Sequence, residues 1–412
     1  MAERELTVPL PTAVDAGLGP EVARRLLFVS PRVSGFRLPE NGAPVRAVHL
    51  TVPDDGDRDA DRALVEKVRR MVASDVLTQL PQRPEVVWRS ARDVVARPAA
   101  PVFEELLATG AAVRCGPGQV ALGPGPLELF HRLDDLVRRI AVEQMGAVEY
   151  RYPALLPTSA LHRSGYLGSF PQHLMFASRL HADLDSYQDF LADLPAWTPE
   201  AELAGLLLAH SRDADFCLPP TMCYHTFHQL ADAPLAGGDR VVTARGSSFR
   251  HEHRYHAGLE RLWDFTIREV VFLGTRQFAA DCRERFLAAA VALFDELDLA
   301  GHCEVAHDPF FGDSARTGPA ISSQRLLSLK YEARLAVAPD RDIAVASFNR
   351  HETRFGEAFG ISGPDGEPVH TACVGFGLER LMYAVLCQHG PDPERWPEPL
   401  RGHGSARKDG NR

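Results

Sequence analysis

Along the first hundred residues the apolar positions change period twice. Val45-Arg46-Ala47-Val48-His49-Leu50-Thr51-Val52 alternates partly in strand fashion, Asp59 to Leu80 has helical spacing, and Glu85-Val86-Val87-Trp88 reads as another short strand. This predicts a small N-terminal α/β domain over 1–101, closed by the linker Arg97-Pro98-Ala99-Ala100-Pro101. A short helix from Val102 to Thr109 and a turn at Gly116-Pro117-Gly118 lead into a larger domain over 102–390. There Phe130, Leu133, Val137, Ile140 and Ala141 share one face of a helix spanning Leu127 to Met145. An extended segment, Val148 to Pro153, follows. A mostly helical insert covers Leu180 to Ala214, broken at Pro195-Ala196-Trp197-Thr198-Pro199, with Thr198 able to cap its second helix. Strands around Phe249 and from Trp263 to Leu273 precede a long helix, Arg276 to Leu297. Tyr331 to Val337 and Asp342 to Phe348 read as strands, Leu378 to Leu386 as the last helix, and 391–412 as a polar, disordered tail. Helices segregated around a mainly antiparallel sheet make the class α+β.

Composition narrows the setting. No run of about 18 apolar residues could span a bilayer, and Met1-Ala2-Glu3-Arg4-Glu5 lacks a signal-peptide pattern. Seven scattered cysteines suit free or metal-bound thiols in a cytoplasmic protein better than a disulfide scaffold. The net charge of -10, with no basic helix or lysine-rich arm, argues against a protein that grips a nucleic-acid backbone.

Candidate chemistry concentrates in two segments. Ser248-Phe249-Arg250-His251-Glu252, a polar loop, and Arg261 to Glu269 form a strand–loop–strand unit. Arg250 and Glu252, two apart, share a face, and Phe265 on the neighbouring strand offers a flat surface for a purine. An exposed, salt-bridged hairpin has the same pattern. The second segment is Gly375-Phe376-Gly377-Leu378-Glu379-Arg380, where glycines admit close backbone approach and Arg380 opens a helix. Without a βαβ unit or a third glycine it is not a dinucleotide site. Histidines crowd at His251, His253 and His256 and at His225 and His228, and read as solvated loop residues.

In this order and separation the two segments resemble motifs 2 and 3 of class II aminoacyl-tRNA synthetases, and Leu127 to Pro153 resembles motif 1. The resemblance spans roughly Val102 to Gln388 and implies the class II catalytic fold, ATP with Mg2+, and a homodimer. By it, Arg250 binds the α-phosphate and carboxylate, Glu252 the adenine edge or pyrophosphate region, and Arg261 the γ-phosphate. Phe265 and Arg380 sandwich adenine. Arg250 and Glu252 are the expected catalytic residues.

Cys223, Glu269 and Cys373 flank these motifs. Two thiolates and a carboxylate suit a three-ligand zinc site with an open fourth position, although each alone reads as a buried small residue or a strand-end acid. Their placement is similar to that in the methanogenic-type seryl-tRNA synthetases and the amino acid:[carrier protein] ligases, where Zn2+ takes the substrate's amino group. Gln324-Arg325-Leu326-Leu327-Ser328-Leu329-Lys330-Tyr331-Glu332 and Ser347-Phe348-Asn349-Arg350-His351, with Phe355-Gly356, extend the likeness. They make Lys330, Glu332, Ser347 and Asn349 candidate substrate contacts. Asp342-Ile343-Ala344-Val345 stands where seryl enzymes place a magnesium glutamate, and no acid is assigned that role.

The resemblance implies activation of a small amino acid and transfer to the phosphopantetheine thiol of a carrier protein. Seryl-tRNA charging is the alternative, and a silent paralogue the third reading. Retention of every candidate residue argues against the last. The absence of sustained heptads or a basic stripe in Met1 to Pro101 argues against tRNA as the acceptor.

Overall fold

The computed structural model describes residues 2–39, 43–79, 85–92, 99–180, 182–194, 200–252, 258–306 and 329–401. Its centre is an eight-stranded sheet in the spatial order Val86–Arg89, Gly301–Val305, Lys330–Ala338, Arg341–Glu352, His370–Gly377, Asp264–Gly274, Arg240–Phe249, Val148–Tyr150. All neighbours are antiparallel except the last pair. Helices flank it, and the class is α+β, as the sequence predicts.

Alternation along the strands sorts the two faces. Val270, Phe272, Val374, Phe376, Phe348, Val345 and Leu335 enter one core with the helices Pro126–Arg139, Arg276–Glu296 and Leu378–His389. The opposite face carries Glu269, Cys373, Gly375, Ser347, Asn349, Lys330 and Glu332, because each is one residue out of phase with that core. Burying the apolar face this way drives assembly and leaves the polar face for chemistry. All five motif 1 residues, Phe130, Leu133, Val137, Ile140 and Ala141, are buried. On the apolar side Asp134 and Arg268, each 2% exposed, form a bidentate pair extended by Arg245 and Glu149.

The N-terminal region has its own core around a three-stranded sheet of Glu3–Val14, Val45–Pro53 and Gly35–Arg37, covered by Gly19–Leu26 and Arg58–Met71. Several expectations change here. Val86–Arg89, assigned by chain position to this domain, is an edge of the large sheet, paired with Gly301–Val305; a short apolar run does not encode which sheet it joins. Of the linker, Arg97 and Pro98 lie outside the described residues, and Ala99, Ala100 and Pro101 already belong to the helix Ala99–Ala108. The insert is two helices, Leu184–Asp193 and Glu200–His210, but Leu180 ends one strand, Phe176–Leu180, and 211–214 begin another, Ser211–Cys217. The Thr198 cap lies outside the described residues. The tail expected from 391 is folded as far as 401: Trp396 is 1% exposed and its indole N–H donates to the Gly390 carbonyl. One buried aromatic outweighs the surrounding polar sequence, and 402–412 lie outside the described residues.

Candidate active site

The strand pair Arg240–Phe249 and Asp264–Gly274 sets the geometry of one half of the site. Ser248 faces Phe265 in register, and Arg250 follows the strand directly, its N–H bonded to the Trp263 carbonyl. Glu252, 7% exposed, pairs with Arg261 at 2.9 Å. Burial pushes its carboxyl up, but the charges of Arg261, Arg380 and Arg250 hold it below the ordinary value. Three arginines from separate segments therefore converge on one buried carboxylate. Arg380 donates to the carbonyls of Glu260 and Ala344, and burial, with Arg261 close by, lowers it to about 10. It stays charged at neutral pH.

Phe265 and Arg380 are expected to hold adenine between them. Over the Phe265 ring lies the guanidinium of Arg250, 5.4 Å from the centroid and anchored to the Pro220 carbonyl at 3.0 Å. The charges of both arginines act on the buried Glu252 carboxyl.

The other half lies along a register row: Glu269 faces Gly375, Gly375 faces Ser347, and Ser347 faces Glu332. A Cβ on Gly375 would come within 3.9 Å of Ser347 Oγ and 4.0 Å of Glu269 Oε1, so glycine keeps this floor low. One row over, Cys373 faces Asn349, which faces Lys330. Cys223 opens the helix Cys223–Gln229, which packs over this end of the sheet.

The ligand atoms of Cys223, Glu269 and Cys373 lie within 4.8 Å of one another, and all three residues are buried. Glu269 Oε2 accepts from Thr221 Oγ1 at 2.6 Å and the Cys223 amide at 2.8 Å. Among the described residues no cationic side chain reaches Glu269. Burial raises the Cys223 thiol well above its usual value. At Cys373 the hydrogen bond with Cys223 lowers the thiol, and burial with the Glu269 charge outweighs it. A carboxylate and two thiols enclosed without a counter-charge form a donor set that fits zinc, whose binding would take up both thiolates. Two nitrogens, Asn349 Nδ2 and His351 Nε2, each lie 3.6 Å from Cys373 Sγ and could support it. Asn349, expected to contact substrate, therefore borders this cluster.

Lys330 and Glu332 pair at 3.1 Å on the sheet floor, beside Arg334, which binds Asp342 at 2.7 Å. The segment Gln324 to Ser328 lies outside the described residues, as do His253 and His256. The reading of His225 and His228 as solvated loop residues is half wrong. Both sit on the helix next to Cys223, His228 exposed but His225 5% exposed and stacked on Tyr152 at 5.2 Å. Burial lowers His225 to about 4 and keeps it neutral.

Two residues escape sequence reasoning. His173, 8% exposed, accepts the His251 amide at its carbonyl, 3.2 Å, at the start of the motif 2 loop. Glu379 accepts the Thr266 amide with both carboxylate oxygens, and burial raises it to about 7. Glu379 sits beside Arg380 in motif 3, and that adjacency was its only signal; His173 had none.

No family model matches the chain. It is 33% identical over 276 residues to an amino acid--[acyl-carrier-protein] ligase 1 of Bradyrhizobium diazoefficiens, covering 65% of this chain and 81% of that protein. Ligase 2 of the same organism is 34% identical over 278 residues, covering 65% and 79%. The chain belongs to the class II synthetase-like family that contains these ligases. A type-2 serine--tRNA ligase of Methanococcus aeolicus is 29% identical over 299 residues, covering 69% of this chain and 55% of that one. Among solved structures, Methanopyrus kandleri seryl-tRNA synthetase in complex with A. aeolicus tRNASec has a TM-score of 0.69 at 24% identity, covering 97% of this chain and 76% of its own. Pyrococcus horikoshii seryl-tRNA synthetase with ATP has a TM-score of 0.55 at 14% identity, covering 84% and 82%. The fold is that of class II synthetases, and the family is one of aminoacyl-activating ligases.

Proposed function

We propose that this ligase adenylates a small α-amino acid and passes the aminoacyl group to the phosphopantetheine thiol of a carrier protein. The observation that carries the reading is the meeting, on one sheet face, of the Arg250–Glu252–Arg261–Arg380 cluster with the Cys223–Glu269–Cys373 nest. The first suits the phosphates and base of ATP with its Mg2+, and the second suits zinc. A zinc held there would take the substrate's amino group and so select for α-amino acids.

The amino-acid carboxylate attacks the α-phosphorus of ATP, an oxygen–phosphorus bond forms, and pyrophosphate leaves. Arg250 neutralises the charge that gathers on the α-phosphate and carboxylate oxygens as this happens. Arg261 faces the γ-phosphate, and Glu252 keeps the arginines apart and oriented. Phe265 stacks adenine against Arg380, which requires Arg250 to leave the Phe265 ring and turn to the phosphate. Ser347 and the Lys330–Glu332 pair line the floor where the small side chain rests. The carrier thiolate then attacks the acyl carbon, a thioester forms, and AMP departs.

The carrier is preferred as acceptor because the ligases of Bradyrhizobium diazoefficiens share more identity than the seryl enzymes, and because the net charge is -10. One observation favours tRNA: the fold likeness to the Methanopyrus enzyme takes in 97% of the chain, N-terminal domain included. A cytoplasmic setting and a homodimer through the motif 1 edge belong to the same proposal. Arg250→Ala tests the activation step. We expect ATP–pyrophosphate exchange to fall at least about 100-fold, since one donor at a developing charge is worth roughly 3 to 4 kcal/mol, with the thermal midpoint unchanged. Near-wild-type exchange would remove motif 2 from the chemistry.

A further inference from the structure

The N-terminal domain has no part in the chemistry described so far, yet one of its side chains reaches the catalytic domain beside the site. The helix Gly19–Leu26 ends in a turn closed by Phe28 N–H to the Arg25 carbonyl (3.1 Å) and Val29 N–H to the Leu26 carbonyl (3.2 Å). Leu26 and Val29 enter the N-terminal core; Phe28 does not. Its ring meets the imidazole of His173 edge-on, with centroids 5.8 Å apart and planes at 68°.

His173 is caged on its other sides by its own domain. Its ring lies parallel to that of Phe170 at 6.3 Å, and the Tyr166 hydroxyl sits 3.4 Å from its Nδ1. Its carbonyl holds the amide of His251, the residue between Arg250 and Glu252. The imidazole is buried and lowered to about 4, so it is a neutral packing body. Arg24, on the same helix, pairs with Glu21 at 3.0 Å. Burial alone would raise the Glu332 carboxyl, but the charges of Lys330, Arg334 and Arg24 hold it below its ordinary value. One turn of the N-terminal domain thus packs on the residue that holds the motif 2 loop, and the helix before it adds the Arg24 charge to those acting on Glu332.

We infer that Phe28 is a positioning residue for the nucleotide site: it closes the cage of His173, which fixes where the motif 2 loop leaves its strand and hence where Arg250 and Glu252 stand. The inference rests on the reading of motif 2 as the ATP site. It gives the N-terminal domain a role in adenylation that needs neither tRNA nor carrier.

The test uses the full chain with Phe28→Ala and the conservative Phe28→Trp. In ATP–pyrophosphate exchange, Phe28→Ala should raise the KM for ATP about 10-fold and leave the KM for the amino acid, the metal content and the thermal midpoint near wild type. Phe28→Trp should restore the KM for ATP. Hydrogen exchange of the segment 245–252 should quicken in Phe28→Ala with no nucleotide present. An unchanged KM for ATP with unchanged exchange protection overturns the inference. So does a parallel rise of both KM values with a lowered midpoint, which marks a merely structural loss. If the wild type fails to bind ATP, the reading of motif 2 falls, and the hydrogen-exchange arm still decides whether Phe28 orders that loop.

Discussion

Glu269→Gln separates a metal site from a chance cluster because its effect should reverse with the metal. In the metal-free protein the substitution keeps the shape of the side chain and one acceptor oxygen, and removes a negative charge enclosed with two thiols. The acceptor Oε2 now takes bonds from Thr221 Oγ1 at 2.6 Å and the Cys223 amide at 2.8 Å. Retaining one carbonyl oxygen limits the loss to about 1 kcal/mol, and removing an uncompensated charge offsets part of it. With zinc the balance inverts, because the amide withdraws one of three ligands. Loss of an outer partner alone typically weakens a metal 10- to 100-fold, so loss of a direct ligand should weaken it by more than about 100-fold, or roughly 3 kcal/mol. Zinc affinity is read by competition with a chromophoric chelator, and stability by urea unfolding with and without chelator. Zinc should stabilise the wild type strongly and Glu269→Gln hardly at all, while the two metal-free proteins unfold within about 1 kcal/mol of each other. Wild-type zinc affinity in the variant would refute the ligand assignment. A metal-free variant less stable by several kcal/mol would show that Glu269 is satisfied by the fold itself.

Two further outcomes follow from the packing. His173 is lowered from 6.5 to about 4, so its neutral burial stabilises the fold fully above pH 6.5. That contribution is lost as pH falls from about 6.5 to 4, an upper bound of roughly 3 to 4 kcal/mol at 1.36 kcal/mol per unit. Urea unfolding across this window should show the loss, His173→Phe should reduce its slope, and an identical slope in the variant would contradict it. The edge strand Val148–Tyr150 is exposed, with Val148 at 55%. Light scattering at micromolar concentration should therefore report a homodimer that Val148→Asp weakens, and a wild-type monomer would remove the motif 1 assignment.

Strand alternation set Arg250 and Glu252 on one face from the sequence alone. Cys223, Glu269, Cys373 and Ser347 were picked out by the likeness of their segments to family motifs, and the register that sets Glu269, Cys373 and Ser347 on one face came with the structure. What could not be read depended on partners distant in sequence. Val86–Arg89 carries no mark of the sheet it joins. His225 resembles a loop histidine until the helix from Cys223 buries it against Tyr152. The Arg250 guanidinium over the Phe265 ring was not legible either, because the distant Pro220 carbonyl sets its direction. Trp396, in a polar stretch, folds the start of the expected tail onto the main core.

The acceptor decides the central claim most directly. The full chain is incubated with ATP, a radiolabelled small amino acid, and either a holo carrier protein or total tRNA. Label should appear on the holo carrier as a hydroxylamine-sensitive thioester, with none on the apo carrier and none on tRNA. Label on tRNA at synthetase-like rates, with none on any holo carrier, would contradict it.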